Sequence, residues 1–105
     1  MPVIVATDQD FESTIQENDT VVVKYFADWC GACRLFAPKF RRMSDDAQFE
    51  GIVFLDVNAE ENPEARKKAG VSNLPFFATF KKGELVKGDF TAKKEMVEAM
   101  INEIK

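Results

Sequence analysis

The sequence contains no histidine and only two cysteines among its 105 residues, and these shortages exclude several kinds of site. Hydrolase mechanisms that use a histidine base are excluded because no such base exists. Two cysteines cannot fill a structural zinc site unless carboxylates are recruited, which is uncommon. Covalent haem attachment needs histidine directly after the second cysteine, and Arg34 stands there. We therefore expect no metal ion.

Long apolar runs and an excess of positive charge are also missing. No apolar stretch approaches the roughly 20 residues that span a membrane, and residues 1–4 lack the basic and apolar regions of a signal peptide. We therefore expect a cytoplasmic, reducing location and no membrane contact. The net charge of −4 argues against nucleic acid as a partner. At 105 residues the chain fits a single domain, residues 1–105.

Both cysteines lie in the pentapeptide Trp-Cys-Gly-Ala-Cys at residues 29–33, directly after the apolar run 21–27. Three interpretations are open: a redox-active dithiol, an inert structural disulfide, or two cysteines without a special role. A disulfide that closes so short a loop removes little entropy from the unfolded chain, so a structural role contributes little stability. Two thiols at a strand-to-helix junction can instead exchange two electrons reversibly. The motif therefore favours a redox-active dithiol.

The hydrophobic pattern predicts an α/β protein in the order β-α-β-α-β-α-β-β-α, with a mixed sheet and helices on both faces. Asp8 is the predicted N-cap of the first helix. The second helix is predicted from Gly31 to about Gln48, with Pro38 inside it and kinking it. The predicted strands are 3–5, 20–27, 52–57, 76–80 and 85–90, and a short helix lies between Asn62-Pro63 and Gly70. Predicted inward stripes are Leu35, Phe36, Phe40 and Met43 in the second helix and Met96, Val97, Met100, Ile101 and Ile104 in the last.

Several local motifs together resemble the thioredoxin family, and the resemblance covers nearly the whole chain. The residues that carry it are Ala27–Cys33, Pro38, Asn62-Pro63, Leu74-Pro75 and Phe80–Glu84. The resemblance implies a thioredoxin fold and a monomeric thiol–disulfide oxidoreductase that reduces protein disulfides without a bound cofactor. It also implies that a separate thioredoxin reductase-type protein, flavin- or ferredoxin-linked, supplies the electrons.

The resemblance assigns roles to particular residues. Cys30 would attack a substrate disulfide from the N-terminus of the second helix, where free N–H groups favour the thiolate. Cys33 would then resolve the mixed disulfide. The substrate would be bound by Trp29, Gly31, Ala32, Leu74 and Pro75. In this family the proline at the position of Pro75 follows a cis peptide bond; the alternative is a trans proline that ends a loop. For Trp29 the alternative is a position in the core. Arg34 is interpreted as a solvated helix residue rather than a tuning charge.

The most consequential departures from the family pattern are two charges on neighbouring predicted strands. Lys24 stands where the family usually has a buried aspartate, and Asp56 where it often has lysine. We predict that they form a charge-swapped pair that tunes redox poise and proton transfer at Cys33; the alternative is that the Lys24 ammonium reaches solvent. As a cation, Lys24 would stabilise the Cys33 thiolate and make the disulfide more oxidising.

Three further departures affect the predicted groove. Ala32 replaces the usual proline between the cysteines, which should also make the disulfide more oxidising. Phe76 replaces threonine and either packs into the core or narrows the groove. The loop 90–93 is one residue short and lacks a glycine. Two rival functions therefore stay open: an oxidase or isomerase of the same fold, and a non-catalytic binding module.

Overall fold

The computed structural model describes residues 2–105, which form a five-stranded mixed sheet with two helices on each face. The strand order is β1-β3-β2-β4-β5; β1, β3 and β2 are parallel, and β4 and β5 are antiparallel to their neighbours. The elements follow the predicted order: β1 Ile4–Val5, α1 Phe11–Glu17, β2 Thr20–Phe26, α2 Gly31–Ser44, a 3₁₀ turn Ala47–Phe49, β3 Val53–Asn58, α3 Pro63–Ala69, β4 Phe76–Lys81, β5 Glu84–Phe90 and α4 Lys94–Asn102.

The central strand β2 explains why its sequence is apolar almost throughout. Val21, Val23 and Tyr25 face α1 and α3 and belong to one core cluster, whereas Val22 faces α2 and α4 and belongs to the other. A strand covered on both faces needs apolar side chains at successive positions rather than at alternate ones. The Tyr25 hydroxyl satisfies its hydrogen bond by donating to the carbonyl of Ala65 in α3 at 2.9 Å.

The helices correct three details of the sequence prediction. Asp8 does not cap α1, which begins at Phe11 after Asp10. The second helix ends at Ser44, short of Gln48, and a separate turn follows. Leu35 was predicted to face inward but is 77% exposed, and Met96 is 39% exposed; the other predicted stripe residues of α2 and α4 are buried. Both misplaced residues lie at the flank of an apolar stripe, where helical spacing does not decide between core and solvent.

The predicted signals at the two ends of α3 and at the β4–β5 hairpin are confirmed. Pro63 opens α3, and Gly70 ends it in the left-handed conformation. Lys82 and Gly83 connect β4 to β5 with φ angles of 52° and 83°, as a two-residue type I′ hairpin turn requires. None of the helices within residues 2–105 is long and apolar enough to cross a membrane.

Candidate functional site

The two cysteines form a disulfide at the start of α2. Cys30 is the N-cap of the helix and has an extended backbone, and its Sγ accepts a hydrogen bond from the backbone N–H of Cys33 at 3.2 Å. The two Cα atoms are 5.3 Å apart, inside the usual range for a disulfide. Unpaired N–H groups and the helix dipole at this end favour negative charge on Cys30 when the disulfide is reduced. The site can therefore hold either a disulfide or a stabilised thiolate.

Trp29 lies outside the core beside this disulfide. Its side chain is 64% exposed, and the indole Nε1–H donates to Glu60 Oε2 at 2.8 Å. The alternative of a core aromatic is thereby wrong. Glu60 follows β3, and no spacing in the sequence indicated that it would reach Trp29 across 31 positions. Arg34 is exposed as predicted, but its guanidinium also donates to the carbonyl of Asp28 at 3.1 Å, which anchors the segment before Trp29.

Lys24 and Asp56 form the predicted ion pair. They are directly opposite one another on the parallel strands β2 and β3, and Lys24 Nζ lies 3.3 Å from Asp56 Oδ1. Lys24 is only 3% exposed, so its ammonium does not reach solvent. Burial lowers the pKa of Lys24, and the negative charge of Asp56 opposes that shift. Burial likewise raises the pKa of Asp56, opposed by the charge of Lys24.

A cavity of about 280 Å³ connects this ion pair with the second cysteine. It is lined by Lys24, Phe26, Ala27, Asp28, Cys33, Arg34, Ala37 and Asp56. The Lys24 ammonium also lies over the rings of Phe26 and Phe40, 5.7 and 5.4 Å from their centroids. The structure therefore places both predicted tuning residues at a cavity wall that they share with Cys33. No cluster of three potential metal ligands occurs within residues 2–105.

Leu74 and Pro75 are joined by a cis peptide bond, as predicted. Leu74 belongs to the same packed cluster as Cys30 and Cys33. Its backbone N–H donates a hydrogen bond to Asn73 Oδ1 at 2.9 Å. The Pro75 carbonyl accepts from the N–H of Thr91, so the loop after β5 is tied to the segment that carries Pro75.

Phe76 resolves the question left open by the sequence. It is 6% exposed, and its ring packs edge-on against Tyr25 with the centroids 6.2 Å apart. Phe76 therefore belongs to the core. Gly31 and Ala32, in contrast, are exposed beside the disulfide, whereas Leu74 and Pro75 are buried.

A disulfide at the N-terminus of a helix, next to an exposed tryptophan, is the arrangement of a thiol–disulfide oxidoreductase. A family model described as thioredoxin matches residues 2–104. Thioredoxin 1 of Plasmodium falciparum is 31% identical over 99 residues, which cover 90% of this chain and 93% of that protein. The thioredoxin of Sus scrofa is 39% identical over 85 residues, covering 80% of this chain and 78% of its own.

Solved structures agree with the sequence relatives. A crystal structure of reduced Schistosoma mansoni thioredoxin is 34% identical and superposes with a TM-score of 0.87 over 100% of both chains. The chain belongs to the thioredoxin family. It is a protein-disulfide oxidoreductase that works by dithiol–disulfide exchange at the Cys30–Cys33 pair.

Proposed function

We propose that Cys30 is the attacking thiol and Cys33 the resolving thiol in the reduction of protein disulfides. The Cys30 thiolate forms a bond to one substrate sulfur, and the substrate S–S bond breaks, so the other substrate sulfur leaves as a thiolate and takes up a proton. The Cys33 thiolate then attacks Cys30 Sγ, which releases the second substrate thiolate and forms the Cys30–Cys33 disulfide. The observation that carries this assignment is the N-cap position of Cys30, whose Sγ accepts the Cys33 N–H.

The assignment is tested by trapping the mixed disulfide. We expect Cys33→Ser to accumulate a covalent complex with a disulfide substrate through Cys30, detectable by mass spectrometry, because the resolving thiol is missing. Cys30→Ser should form little complex, because Cys33 lies inside α2 and not at its N-cap, where the helix favours a thiolate. Exposure does not separate the two cysteines, at 5% for Cys30 and 2% for Cys33. If the Cys30→Ser protein accumulates a mixed disulfide through Cys33 as fast as the Cys33→Ser protein does through Cys30, Cys33 is the attacking thiol and Cys30 the resolving thiol.

We propose that Lys24, Asp56 and Ala32 make this disulfide more oxidising than that of an ordinary thioredoxin. The support is the buried ammonium of Lys24 at the wall of the cavity that also contacts Cys33. A nearby positive charge stabilises a thiolate and hence the reduced dithiol, which raises the reduction potential. The same buried lysine supports the oxidase or isomerase alternative as the second candidate function.

The potential is measured by equilibrium titration of the Cys30–Cys33 couple against a glutathione or dithiothreitol buffer. We expect a value above the approximately −270 mV known for an ordinary thioredoxin. Lys24→Gln should lower the potential by about 10 to 30 mV, since 30 mV corresponds to roughly 1.4 kcal/mol for two electrons. Lys87→Gln, which removes an exposed charge from β5, is the control and should leave the potential unchanged. An unchanged potential in Lys24→Gln would contradict the tuning role.

We propose that substrates contact Trp29, Gly31, Ala32, Leu74 and Pro75. The exposure of the first three, and the position of Leu74 in the cysteine cluster, support this surface. An extended substrate segment that pairs with the Leu74 N–H has to displace the Asn73 side chain, which now accepts that hydrogen bond.

The wider setting of the protein is also a proposal. We propose that residues 1–105 act as one monomeric thioredoxin domain in the cytoplasm, reduced by a flavin- or ferredoxin-linked reductase. Sedimentation of the purified chain and localisation of a tagged chain in its source cell test the monomer and the compartment. A coupled assay with each class of reductase tests the electron donor.

A further inference from the structure

Helix α2 carries an unusual concentration of positive charge for this chain. Its sequence from Gly31 to Ser44 contains Arg34, Lys39, Arg41 and Arg42 and no acidic residue. The whole chain has 14 Lys and Arg against 18 Asp and Glu, so the rest of the chain holds ten cations and all 18 acids. The helix that begins at the disulfide thus carries a net charge of +4, whereas the remaining residues of the chain together carry −8.

These four cations are exposed, and none of them forms an ion pair in the part of the chain that the structure describes. Within residues 2–105, no carboxylate lies in ion-pair range of any of them, whereas Lys24, Lys68, Lys81 and Lys94 each have one. The Arg34 guanidinium donates one hydrogen bond to the Asp28 carbonyl, and the Lys39 ammonium lies over the Phe36 ring, 6.0 Å from its centroid. The charges therefore remain available to a partner.

The same face also holds an exposed apolar side chain close to the disulfide. Leu35, Lys39 and Arg42 are spaced i, i+4 and i+7, which places them in one row along the helix, and Arg34 and Arg41 form a second row beside it. Leu35 is 77% exposed. Lys39 lies roughly 13 Å along the helix axis from Cys30, at 1.5 Å per residue. A peptide segment held at Cys30 can therefore reach these rows within a few residues.

We propose that this α2 basic face, made of Arg34, Leu35, Lys39, Arg41 and Arg42, selects disulfide substrates whose cysteines are flanked by acidic residues. Unpaired cations attract acidic segments and raise the rate of encounter, and Leu35 supplies an apolar contact among them. Glu60 accepts a hydrogen bond from the indole of Trp29 and forms no ion pair with these cations within residues 2–105. The inference rests on the proposed attack by Cys30, because the face begins there.

The test compares three synthetic peptide disulfides that carry glutamate, glutamine or lysine on both sides of the cysteine. Their reduction by the reduced protein is followed at low ionic strength, and each rate constant is divided by that for dithiothreitol to remove the intrinsic reactivity of the peptide. We expect the acidic peptide to be reduced at least about fivefold faster than the basic one, with the preference lost in 0.5 M salt. Lys39→Gln/Arg42→Gln should lower the preference about threefold.

A matched variant isolates the position of the charges. Lys82→Gln/Lys87→Gln removes the same charge from the β4–β5 hairpin and should leave the preference unchanged. Equal rates for the three peptides, or an equal loss in both double variants, would overturn the inference while leaving the reductase function intact. No reduction of any peptide would instead contradict the attack by Cys30. Binding of a DNA oligonucleotide to α2 without any preference among peptides would also overturn it, since the face would then serve nucleic acid.

Discussion

At the scale of single residues, Phe76 and Gly88 depend on one another. Gly88 in β5 lies beside the buried Phe76 ring, and a Cβ built on Gly88 would approach that ring to 2.9 Å. The backbone at Gly88 does not require glycine, so the restriction comes from its neighbours, chiefly the Phe76 ring and, at 3.4 Å, the Ala69 carbonyl oxygen. The phenylalanine that departs from the family pattern is therefore accommodated by a glycine on the adjacent strand, twelve positions away in sequence.

We predict that Gly88→Ala destabilises the protein by about 1–3 kcal/mol, because the added methyl overpacks against the Phe76 ring. A glycine-to-alanine change without such a clash would stabilise by restricting the unfolded chain. Urea denaturation measures the difference. In a Phe76→Leu background the cost of Gly88→Ala should shrink, and Lys87→Ala on the same edge strand should have little effect. If Gly88→Ala and Phe76→Leu lower the free energy of unfolding additively, the contact between Gly88 and Phe76 is not the cause of the cost.

At the scale of elements, Asp8 caps a helix other than the one predicted. Its carboxylate accepts from the N–H groups of Glu64 and Ala65, at 3.1 and 2.8 Å, in the first turn of α3. Asn62 completes the junction, because its Oδ1 accepts from the Asp8 N–H at 2.8 Å. The prediction that Asp8 caps the first helix is wrong, because the partner of its carboxylate lies 56 positions further on, as a result of the fold.

We predict that Asp8→Ala lowers the free energy of unfolding by about 1–2 kcal/mol, as loss of a helix N-cap usually does. Asp10→Ala is the control: Asp10 is exposed at the start of α1, and its carboxylate bonds only the nearby Thr7 N–H among the described residues. Asp10→Ala should therefore lower the free energy of unfolding clearly less than Asp8→Ala does. Thermal or urea unfolding of both variants measures the difference, and an equal loss of stability would mean that the bonds from Asp8 to α3 contribute nothing extra.

At the scale of the whole molecule, the buried ion pair couples stability to pH. Lys24 faces Asp56 from the neighbouring strand, Arg41 contributes positive charge from α2, and the rings of Phe26 and Phe40 complete the surroundings. Burial disfavours the charged form of both members, so the pKa of Asp56 is raised above 3.8 and that of Lys24 is lowered below 10.5. The contribution of the pair to the free energy of unfolding is thus smallest in the pH range where both groups are ionised.

The sign of the pH dependence follows from proton uptake. Between pH 3.8 and the raised pKa of Asp56, the folded protein binds more protons than the unfolded chain, so this contribution to stability is present at low pH and declines as pH rises through that pKa. Between the lowered pKa of Lys24 and 10.5 the folded protein binds fewer, so stability rises with pH.

We therefore predict a minimum near neutral pH in the stability of the wild type relative to Lys24→Met/Asp56→Leu, which lacks both charges. The slope on either side should not exceed about 1.4 kcal/mol per pH unit, the limit for one proton. Denaturant unfolding between pH 4 and 10 measures the free energy of unfolding of both proteins. If the difference between them does not change with pH, the pKa shifts of Lys24 and Asp56 are contradicted.

The sequence alone determined the order of elements and the redox-active pair, because both are encoded locally, in hydrophobic period and in a five-residue motif. The partnership of Lys24 with Asp56 was predicted from the family resemblance, and the pairing of β2 with β3 brings the two charges together. Only the tertiary structure decided that Glu60 binds Trp29, that Asp8 caps α3, and that Phe76 packs in the core while Leu35 faces solvent. These contacts join residues distant in the chain, or depend on which flank of a helix meets the sheet. Such features arise from packing between elements, and short-range patterns do not record them.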